Sequence, residues 1–251
     1  MSAVALGALL GLVLGSFIAV LTLRWPAGEG LGGRSRCDSC AAPLRWFELV
    51  PVLSFALQAG RCRRCGAAIP LRHLAIEIVA ALIGGLALGV SPAAIGWAGA
   101  GFGWGLLALA VLDAEHFWLP DALTLPLLAA GLLAGLWLAP PLAERAWGAA
   151  AGYASLAAIA AGYRALTGRD GLGGGDPKLL AAIGAWLGWP LLAPVVLAAA
   201  LLGLALALVD RARGVAVDRL TAVPLGALLA AAAFPIWLLF PTGAPALMLA
   251  P

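Results

Sequence analysis

The chain has 251 residues, of which 63% are hydrophobic and only 11% are charged, and its mean hydropathy is +1.03. Soluble domains carry about 25% charged residues, so this composition excludes a soluble globular protein. Apolar segments of roughly 20 residues, long enough to cross a bilayer, recur along the chain. The net charge of +3 is small, and the basic residues adjoin apolar segments, a pattern that does not indicate nucleic-acid binding. We therefore expect an all-α, polytopic membrane protein.

The apolar segments predict about eight transmembrane helices in a single membrane domain over residues 1–251. The first segment lacks a convincing signal-peptide cleavage site, so it is interpreted as a retained span. A proline inside a helix usually breaks it, so Gly188-Trp189-Pro190 predicts two spans in the long apolar stretch after residue 176. The predicted spans are about 3–23, 74–90, 94–113, 121–139, 145–163, 177–189, 191–209 and 221–240.

Orientation follows from the positions of arginine and lysine, which concentrate on the cytoplasmic side of membrane proteins. With the polar insert 25–72 placed in the cytoplasm, fourteen of the fifteen basic residues lie on that side and only Arg145 lies outside. Both chain termini are then expected outside the cytoplasm. The same count places Asp113, Asp121 and Asp176 at the cytoplasmic ends of their spans.

All four cysteines lie in the insert, as Cys37-x-x-Cys40 and Cys62-x-x-Cys65. Two such pairs supply the four thiolates of a closed, tetrahedral zinc site, and a loop of this size is too small to fold on its own core. The alternatives are two disulfides, which a reducing cytoplasm disfavours, or a redox-active pair. The spacing favours a structural zinc ion.

Asp113 ends the third predicted span, and Asp176 follows a run of glycines that permits positive φ and close backbone approach. Two carboxylates in a low-dielectric site share a proton, so that one acts as a base and the other as an acid. That is the chemistry of an aspartic protease. The alternatives are that these acids cap helices at the membrane surface or line an ion pathway.

In combination, these motifs resemble those of type IV prepilin peptidases, a family of membrane aspartic proteases that includes the leader peptidases of type II secretion. The resemblance covers nearly the whole chain. It is carried in order by Gly15-Ser16-Phe17, the paired Cys-x-x-Cys insert, Asp113-Ala-Glu-His, Leu119-Pro120-Asp121 and Gly173-Gly174-Gly175-Asp176-Pro177-Lys178. Val223-Pro224-Leu225-Gly226-Ala227 departs from the family pattern, as a weakened form of the Pro-Phe-Gly-Pro segment that opens the last span.

The resemblance implies that Asp113 and Asp176 are the catalytic pair. Supporting roles are expected for five further residues: Asp121, Lys178, Gly173, Gly175 and Glu77. Asp121 is expected to position the site or contact substrate, and Lys178 to anchor a helix end or steady the pair electrostatically. The role of Glu77 stays open between an interfacial carboxylate and a functional one. No residues that bind a cofactor are identified, although Glu77 and Arg72 are loose candidates.

The resemblance further implies an endopeptidase that removes the basic leader peptide from type IV prepilins or type II secretion pseudopilins. It implies a bacterial inner-membrane location, with the active site and the zinc insert facing the cytoplasm and the bilayer and the precursors as partners. N-methylation of the new N-terminus by S-adenosylmethionine is the expected second activity. The alternatives are a peptidase without methyltransferase activity, a proton or cation transporter, or a membrane scaffold that binds a partner through the insert.

Overall fold

The structure is a computed structural model that describes residues 2–91, 93–215 and 222–243. The secondary structure of these residues is helical apart from two isolated β-bridges in the insert. The helices are α1 (Ala3–Arg24), α2 (Leu53–Leu57), α3 (Leu71–Val90), α4 (Ala94–His116), α5 (Asp121–Ala134), α6 (Leu142–Thr167), α7 (Asp176–Leu187), α8 (Leu192–Ala212) and α9 (Leu225–Leu239), with 3-10 turns at Trp46–Leu49 and Trp189–Leu191.

Four described segments are long and apolar enough to cross a membrane: α1, α3, α4 and the continuous stretch Trp189–Ala212 that contains α8. Helices α5 and α9 are apolar but shorter. The chain is therefore a multi-pass membrane protein, whereas the count of eight spans stays a prediction. Pro92, which lies between the second and third predicted spans, the basic residue Arg219 and the start of the last predicted span at residue 221 lie outside the described residues.

Several helix ends have a clear local cause. Helix α6 continues to Thr167, beyond the predicted end of its span, and stops at Gly168, whose φ of +68° lets its N–H bond to the carbonyl of Arg164. Helix α7 stops at Leu187, where Gly188 has a φ of +79°. Pro190 follows in the 3-10 turn, so α8 begins as a separate helix at Leu192.

The chain forms two compact units, residues 1–104 and 105–251. In the first unit, α1 packs along α3. The helices approach closely because α1 has glycines on the facing side, as at Gly15, where an added Cβ would lie 2.7 Å from the Cα of Glu77. The insert connects these two helices.

In the second unit, α7 is the central helix and packs against α5, α6 and α9. Its residues are buried from Asp176 to Leu187 with the exception of Lys178. Twelve residues of α-helix measure only about 18 Å, which is short of the ~30 Å hydrocarbon core of a bilayer. Helix α7 therefore presents Asp176 at one end and has its other end surrounded by protein.

Candidate active site and metal centre

Asp113 lies near the C-terminal end of α4 and is buried. Its Oδ2 atom accepts a 2.8 Å hydrogen bond from the backbone N–H of Ala227, in the first turn of α9. The first N–H groups of a helix have no partner within the helix and carry partial positive charge, which makes them suitable partners for a carboxylate. Asp113 thus caps a helix other than its own.

Asp176 is the first residue of α7 and is also buried. Its Oδ2 atom accepts a 3.0 Å hydrogen bond from the backbone N–H of Gly173, so the side chain turns back towards the glycine run. No side chain caps the N-terminus of α7, where Gly175 is the capping residue. Asp176 therefore does not cap the helix that it begins, in contrast to the capping alternative.

The two carboxylates interact electrostatically. Oδ2 of Asp176 is held by the backbone N–H of Gly173, and Oδ2 of Asp113 by that of Ala227, with the N–H of Gly226 also beside the Asp113 carboxyl group. The second oxygen of Asp176 has no hydrogen-bond partner among the described residues, so it stays available for a water molecule or a shared proton. This arrangement is suited to general acid–base chemistry by two carboxyl groups that titrate as a pair.

Leu119, in the short link between α4 and α5, fills the space beside both aspartates. A Cβ added to Gly175 would lie 2.6 Å from the Cβ of Leu119, and one added to Gly226 would lie 2.8 Å from its Cδ1. The Cβ at Gly226 would also lie 3.0 Å from Oδ2 of Asp113. The two glycines therefore permit the close packing that brings the aspartate-bearing segments together.

Asp121 and Lys178 form an ion pair beside this site. Nζ of Lys178 donates to both carboxylate oxygens of Asp121, at 2.7 and 2.8 Å. The pair joins the first turn of α5 to the first turn of α7, two residues after Asp176. Both side chains are partly exposed, so the pair is better suited to holding two helix ends together than to chemistry.

The four cysteines of the insert converge on one point. Their sulfur atoms all lie within 4.8 Å of one another, and the sulfurs of Cys37 and Cys65 are 3.9 Å apart. A tetrahedral zinc ion with Zn–S distances of about 2.3 Å requires sulfurs separated by about 3.8 Å. The cluster is consistent with a zinc site.

The two Cys-x-x-Cys segments have the same backbone geometry. In each, the N–H of the first cysteine bonds to a carbonyl five residues later, at Ala42 and Ala67, and a β-bridge closes the turn. In each, the residue after the second cysteine has a positive φ, +55° at Ala41 and +71° at Gly66. The sequence supplies glycine at only one of these equivalent positions.

The thiols of the cluster differ in acidity. Backbone N–H groups of Cys65 and Arg64 lower the pKa of Cys62 to about 7. The backbone of Ala67 acts in the same direction on Cys65, but burial and the other three sulfurs raise its pKa to about 11. Four thiolates this close together require a compensating cation, which a bound metal ion supplies.

Glu77 and Arg72, the two loose candidates for a cofactor pocket, lie in the 1–104 unit and bind protein groups. Oε2 of the buried Glu77 accepts a 2.8 Å hydrogen bond from the N–H of Val52, in the insert. Val52 has a φ of +62°, which is strained for a β-branched residue. Arg72 donates to the carbonyl of Ala19 at 2.9 Å and to Oγ1 of Thr22 at 2.6 Å. Glu77 thus anchors the insert to α3, and Arg72 ties the start of α3 to α1.

Three residues that hold the helices of the second unit in place were not assigned this role from the sequence. The N–H of Ala227 and the side chain of Leu119 contact the aspartate-bearing segments. Leu119 belongs to a motif that carries the family resemblance, and Ala227 to a segment that departs from the family pattern. The third is Arg145, whose buried guanidinium joins α5, α6 and α7. The available signal was that Arg145 is the one basic residue that the sequence-based count assigns to the outside.

Comparison with known proteins gives consistent matches along the chain. Residues 9–89 match a family model described as the bacterial peptidase A24 N-terminal domain, and residues 100–208 match the type IV leader peptidase family. The second match contains Asp113, Asp121, Asp176 and Lys178. No solved structure matches the chain.

Curated relatives share the name prepilin leader peptidase/N-methyltransferase. The chain is 40% identical to one from Burkholderia pseudomallei over 238 residues, covering 84% of this chain and 77% of that protein. It is 36% identical to one from Neisseria gonorrhoeae over 247 residues, covering 83% and 82%. A third, from Pseudomonas aeruginosa, is 36% identical over 229 residues, covering 78% and 76%.

Proposed function

The chain belongs to the type IV leader peptidase family, and we propose that it is a prepilin leader peptidase with Asp113 and Asp176 as its catalytic pair. Its substrates are precursors of type IV pilins or of type II secretion pseudopilins, anchored in the same membrane. The observation that carries the assignment of the pair is that two buried carboxylates from different helices lie on segments packed against the same residue, Leu119, each with one oxygen held by a backbone N–H. Family membership disfavours the transporter and scaffold alternatives.

The pair supplies the acid and the base of peptide hydrolysis. The ionised carboxylate takes a proton from a water molecule, whose oxygen attacks the scissile carbonyl carbon. The protonated carboxyl group hydrogen-bonds to the carbonyl oxygen as it gains negative charge. The C–N bond then breaks as the leaving nitrogen receives a proton, so that water is divided between the two products.

We propose an inner-membrane location with eight membrane-embedded helices: α1 and α3 to α9. Four of them are long and apolar enough to span a bilayer, α6 has 26 residues but is less apolar, and α5, α7 and α9 are shorter. The distribution of basic residues supports a cytoplasmic position for the insert and for the ends of the helices that carry the aspartates. A precursor with a basic leader in the cytoplasm would then present its cleavage site at the depth of the pair.

The residues of the insert fit a structural zinc ion. Cys37, Cys40, Cys62 and Cys65 would hold it, and the spacing of their sulfur atoms supports a tetrahedral site. All four positions are filled by protein ligands, so the metal would supply stability to the insert and no open position for a reactant.

We also propose N-methylation of the new N-terminus, with S-adenosylmethionine as the donor, on the basis of family membership. Oε2 of Glu77 accepts a hydrogen bond from a backbone N–H, and Arg72 donates to two groups of α1, so the contacts of both residues hold the 1–104 unit together. No step is therefore assigned to either residue in this reaction.

The catalytic pair is tested with Asp113→Asn and Asp176→Asn, which preserve side-chain size. Each variant is expected to lose cleavage by at least ~10³-fold because one carboxyl group cannot act as both base and acid. The measurement is leader removal from a prepilin in membranes, followed by mass spectrometry of the product.

Asp170→Asn is the matched control. Asp170 precedes the glycine run, and its side chain is 70% exposed and paired with Arg164. The Asp170→Asn variant should cleave the prepilin at the wild-type rate. Normal processing by either Asp113→Asn or Asp176→Asn would refute the pair.

A further inference from the structure

The insert exposes large apolar side chains. Trp46 is 80% exposed, and Leu53 and Leu57, one helical turn apart on α2, are 54% and 69% exposed. Neither the 3-10 turn Trp46–Leu49 nor α2 contains a buried residue. Several such side chains within a dozen residues indicate a surface that meets an apolar or interfacial environment rather than bulk water.

Arginines surround a cavity of about 210 Å³ in the same part of the insert. The guanidinium carbons of Arg45 and Arg63 lie 6.0 and 5.3 Å from the centre of the Phe47 ring, and Arg64 lines the same cavity. Among the described residues, none of these three arginines has a carboxylate partner. Glu48 also lines the cavity, but it accepts a hydrogen bond from the backbone N–H of Arg45. With three arginines and one carboxylate in its lining, the cavity has an excess of positive charge.

The composition of the insert extends this pattern. Residues 25–72 contain seven arginines, no lysine and three acidic residues. Positive charge alone is expected beside membrane spans, but it does not account for exposed Trp46, Leu53 and Leu57. Tryptophan is enriched at the level of lipid headgroups, and guanidinium groups bind phosphate in a bidentate manner.

We propose that the insert docks on an anionic bilayer surface, with Trp46 and α2 at the interface and Arg45, Arg63 and Arg64 on lipid phosphate groups. The insert connects two candidate spans, α1 and α3, so both of its ends lie at the membrane surface. The charge of the surface complements anionic headgroups and repels the basic leader of the proposed substrate. The leader is therefore not the occupant of this surface.

The test compares the full-length protein in nanodiscs of phosphatidylcholine alone with nanodiscs that also contain phosphatidylglycerol. Hydrogen exchange is followed in the backbone of residues 44–58. Exchange is expected to be at least ~10-fold slower in the anionic discs, and high salt should remove the difference. Equal exchange in both bilayers would refute the proposal. Protection by an added protein in both lipids alike would instead identify a protein partner and also refute it.

The matched variants are Arg45→Gln with Arg63→Gln, against Arg34→Gln as an insert arginine outside the cavity. The double variant should lose the lipid dependence, and Arg34→Gln should keep it. Zinc content equal to that of the wild type establishes that the insert is folded. If the double variant loses zinc, the proposal is tested on the wild type alone, by whether high salt removes the difference in hydrogen exchange between the two lipids.

A different observation concerns Arg145, near the start of α6, which is only 3% exposed. Its guanidinium donates to four carbonyl oxygens at 2.7 to 3.0 Å, those of Gly131, Ala139, Pro140 and Ala185. It also lies 6.0 Å from the ring of Trp186. A cation buried in a membrane protein is costly, so these contacts are expected to have a specific role.

Two of these carbonyls belong to the last turns of helices. Gly131 is in the final turn of α5 and Ala185 in the final turn of α7. The last carbonyls of a helix lack partners within it, and no water is available in a hydrocarbon environment. Because α7 is too short to reach the far side of a bilayer, Arg145 supplies hydrogen bonds that solvent would otherwise provide.

We infer that Arg145 is a positioning residue for Asp176. Arg145 fixes the C-terminal end of the buried helix α7, and Asp176 is the N-terminal residue of the same helix. This inference rests on the proposed peptidase function. A small displacement of α7 along its axis would move Asp176 relative to Asp113.

The test uses Arg145→Met and Arg145→Lys in membranes, with kcat and KM measured on a prepilin. Arg145→Met should lower kcat by roughly 10²-fold with little change in KM, and Arg145→Lys should retain part of the rate. If Arg145→Met fails to fold, Arg145→Lys carries the test. An unchanged kcat per folded molecule, with only a lower unfolding temperature, would refute positioning. Failure of the wild type to cleave any prepilin would instead refute the proposed function.

Discussion

At the scale of single residues, the glycines beside the aspartates serve close approach rather than unusual backbone angles. Gly175 has an ordinary φ of −81°, and none of Gly173, Gly174 and Gly175 has a positive φ. Gly175 instead faces Leu119 at a distance that excludes a Cβ atom. The sequence analysis expected two properties of the glycine run, positive φ and close backbone approach. At Gly173, Gly174 and Gly175 there is no positive φ, and close packing is seen at Gly175.

Gly175→Ala is therefore expected to slow leader cleavage by about tenfold or more, because the new methyl group displaces Leu119 or the start of α7. Gly174→Ala is the matched control, since a Cβ at Gly174 would meet no atom within 4 Å. Cleavage kinetics of both variants in membranes provide the measurement. Equal rates for the two variants would contradict the packing role of Gly175.

At the scale of elements, the two cysteine turns differ at one position. Ala41 and Gly66 follow the second cysteine of each turn and share a left-handed conformation. A non-glycine residue in that conformation costs about 1 kcal/mol. The insert therefore contains one turn that matches its sequence and one that is strained.

Ala41→Gly should relieve this strain and raise the stability of the metal-bound insert by up to about 1 kcal/mol, whereas Gly66→Ala should lower it by a similar amount. Competition with a zinc chelator measures the difference. Changes of the same sign in both variants would show that backbone strain is not the controlling factor.

The ion pair between Asp121 and Lys178 joins two elements, the first turns of α5 and α7. Because both side chains are partly exposed, the pair is expected to contribute only about 0.5–1 kcal/mol. Its position next to Asp176 makes cleavage the more sensitive measurement.

A double-mutant cycle tests this pair with Asp121→Asn, Lys178→Gln and both together. Each single change should slow cleavage a few-fold, and the double variant should be no slower than the slower single variant. The exposed pair of Arg164 and Asp170 is the comparison, and its disruption should leave the rate unchanged. Strictly additive losses would indicate that Asp121 and Lys178 act separately.

At the scale of the whole molecule, the features that could be predicted from the sequence are those set by residues close together in the chain. Cysteine spacing alone indicates the metal cluster, and hydropathy indicates a multi-pass protein. The Gly188-Trp189-Pro190 sequence marks the position where α7 ends. These features depend on residues close together in the chain, so no knowledge of tertiary packing is required.

Features that depend on packing between distant segments were not predictable in this way. The hydrogen bond from Ala227 to Asp113 joins residues 114 positions apart, and that from Arg145 to Ala185 joins residues 40 apart. Arg145 appeared as an exception in the count of basic residues, and its burial against helix ends explains the exception. Likewise, the hydrogen bond between Glu77 and the N–H of Val52 depends on the fold of the insert, so the sequence did not indicate it.

The division into two units predicts that metal removal acts locally. The cysteines lie in the unit of residues 1–104 and the aspartates in that of residues 105–251. The purified protein should contain about one zinc ion per chain, and a strong chelator should unfold the insert because the metal replaces a hydrophobic core there. The backbone around the arginines of residues 25–72 then becomes flexible enough for trypsin to cleave.

Limited trypsin digestion with mass spectrometry measures this effect. New cuts that appear on chelation should fall within residues 34–72, while cuts in the 105–251 unit stay the same as before. Added zinc should restore protection, and a reducing agent without a chelator should have no effect, which separates a metal site from disulfides. Chelator-dependent cuts throughout both units would show that the two unfold together and would contradict a local role for the metal.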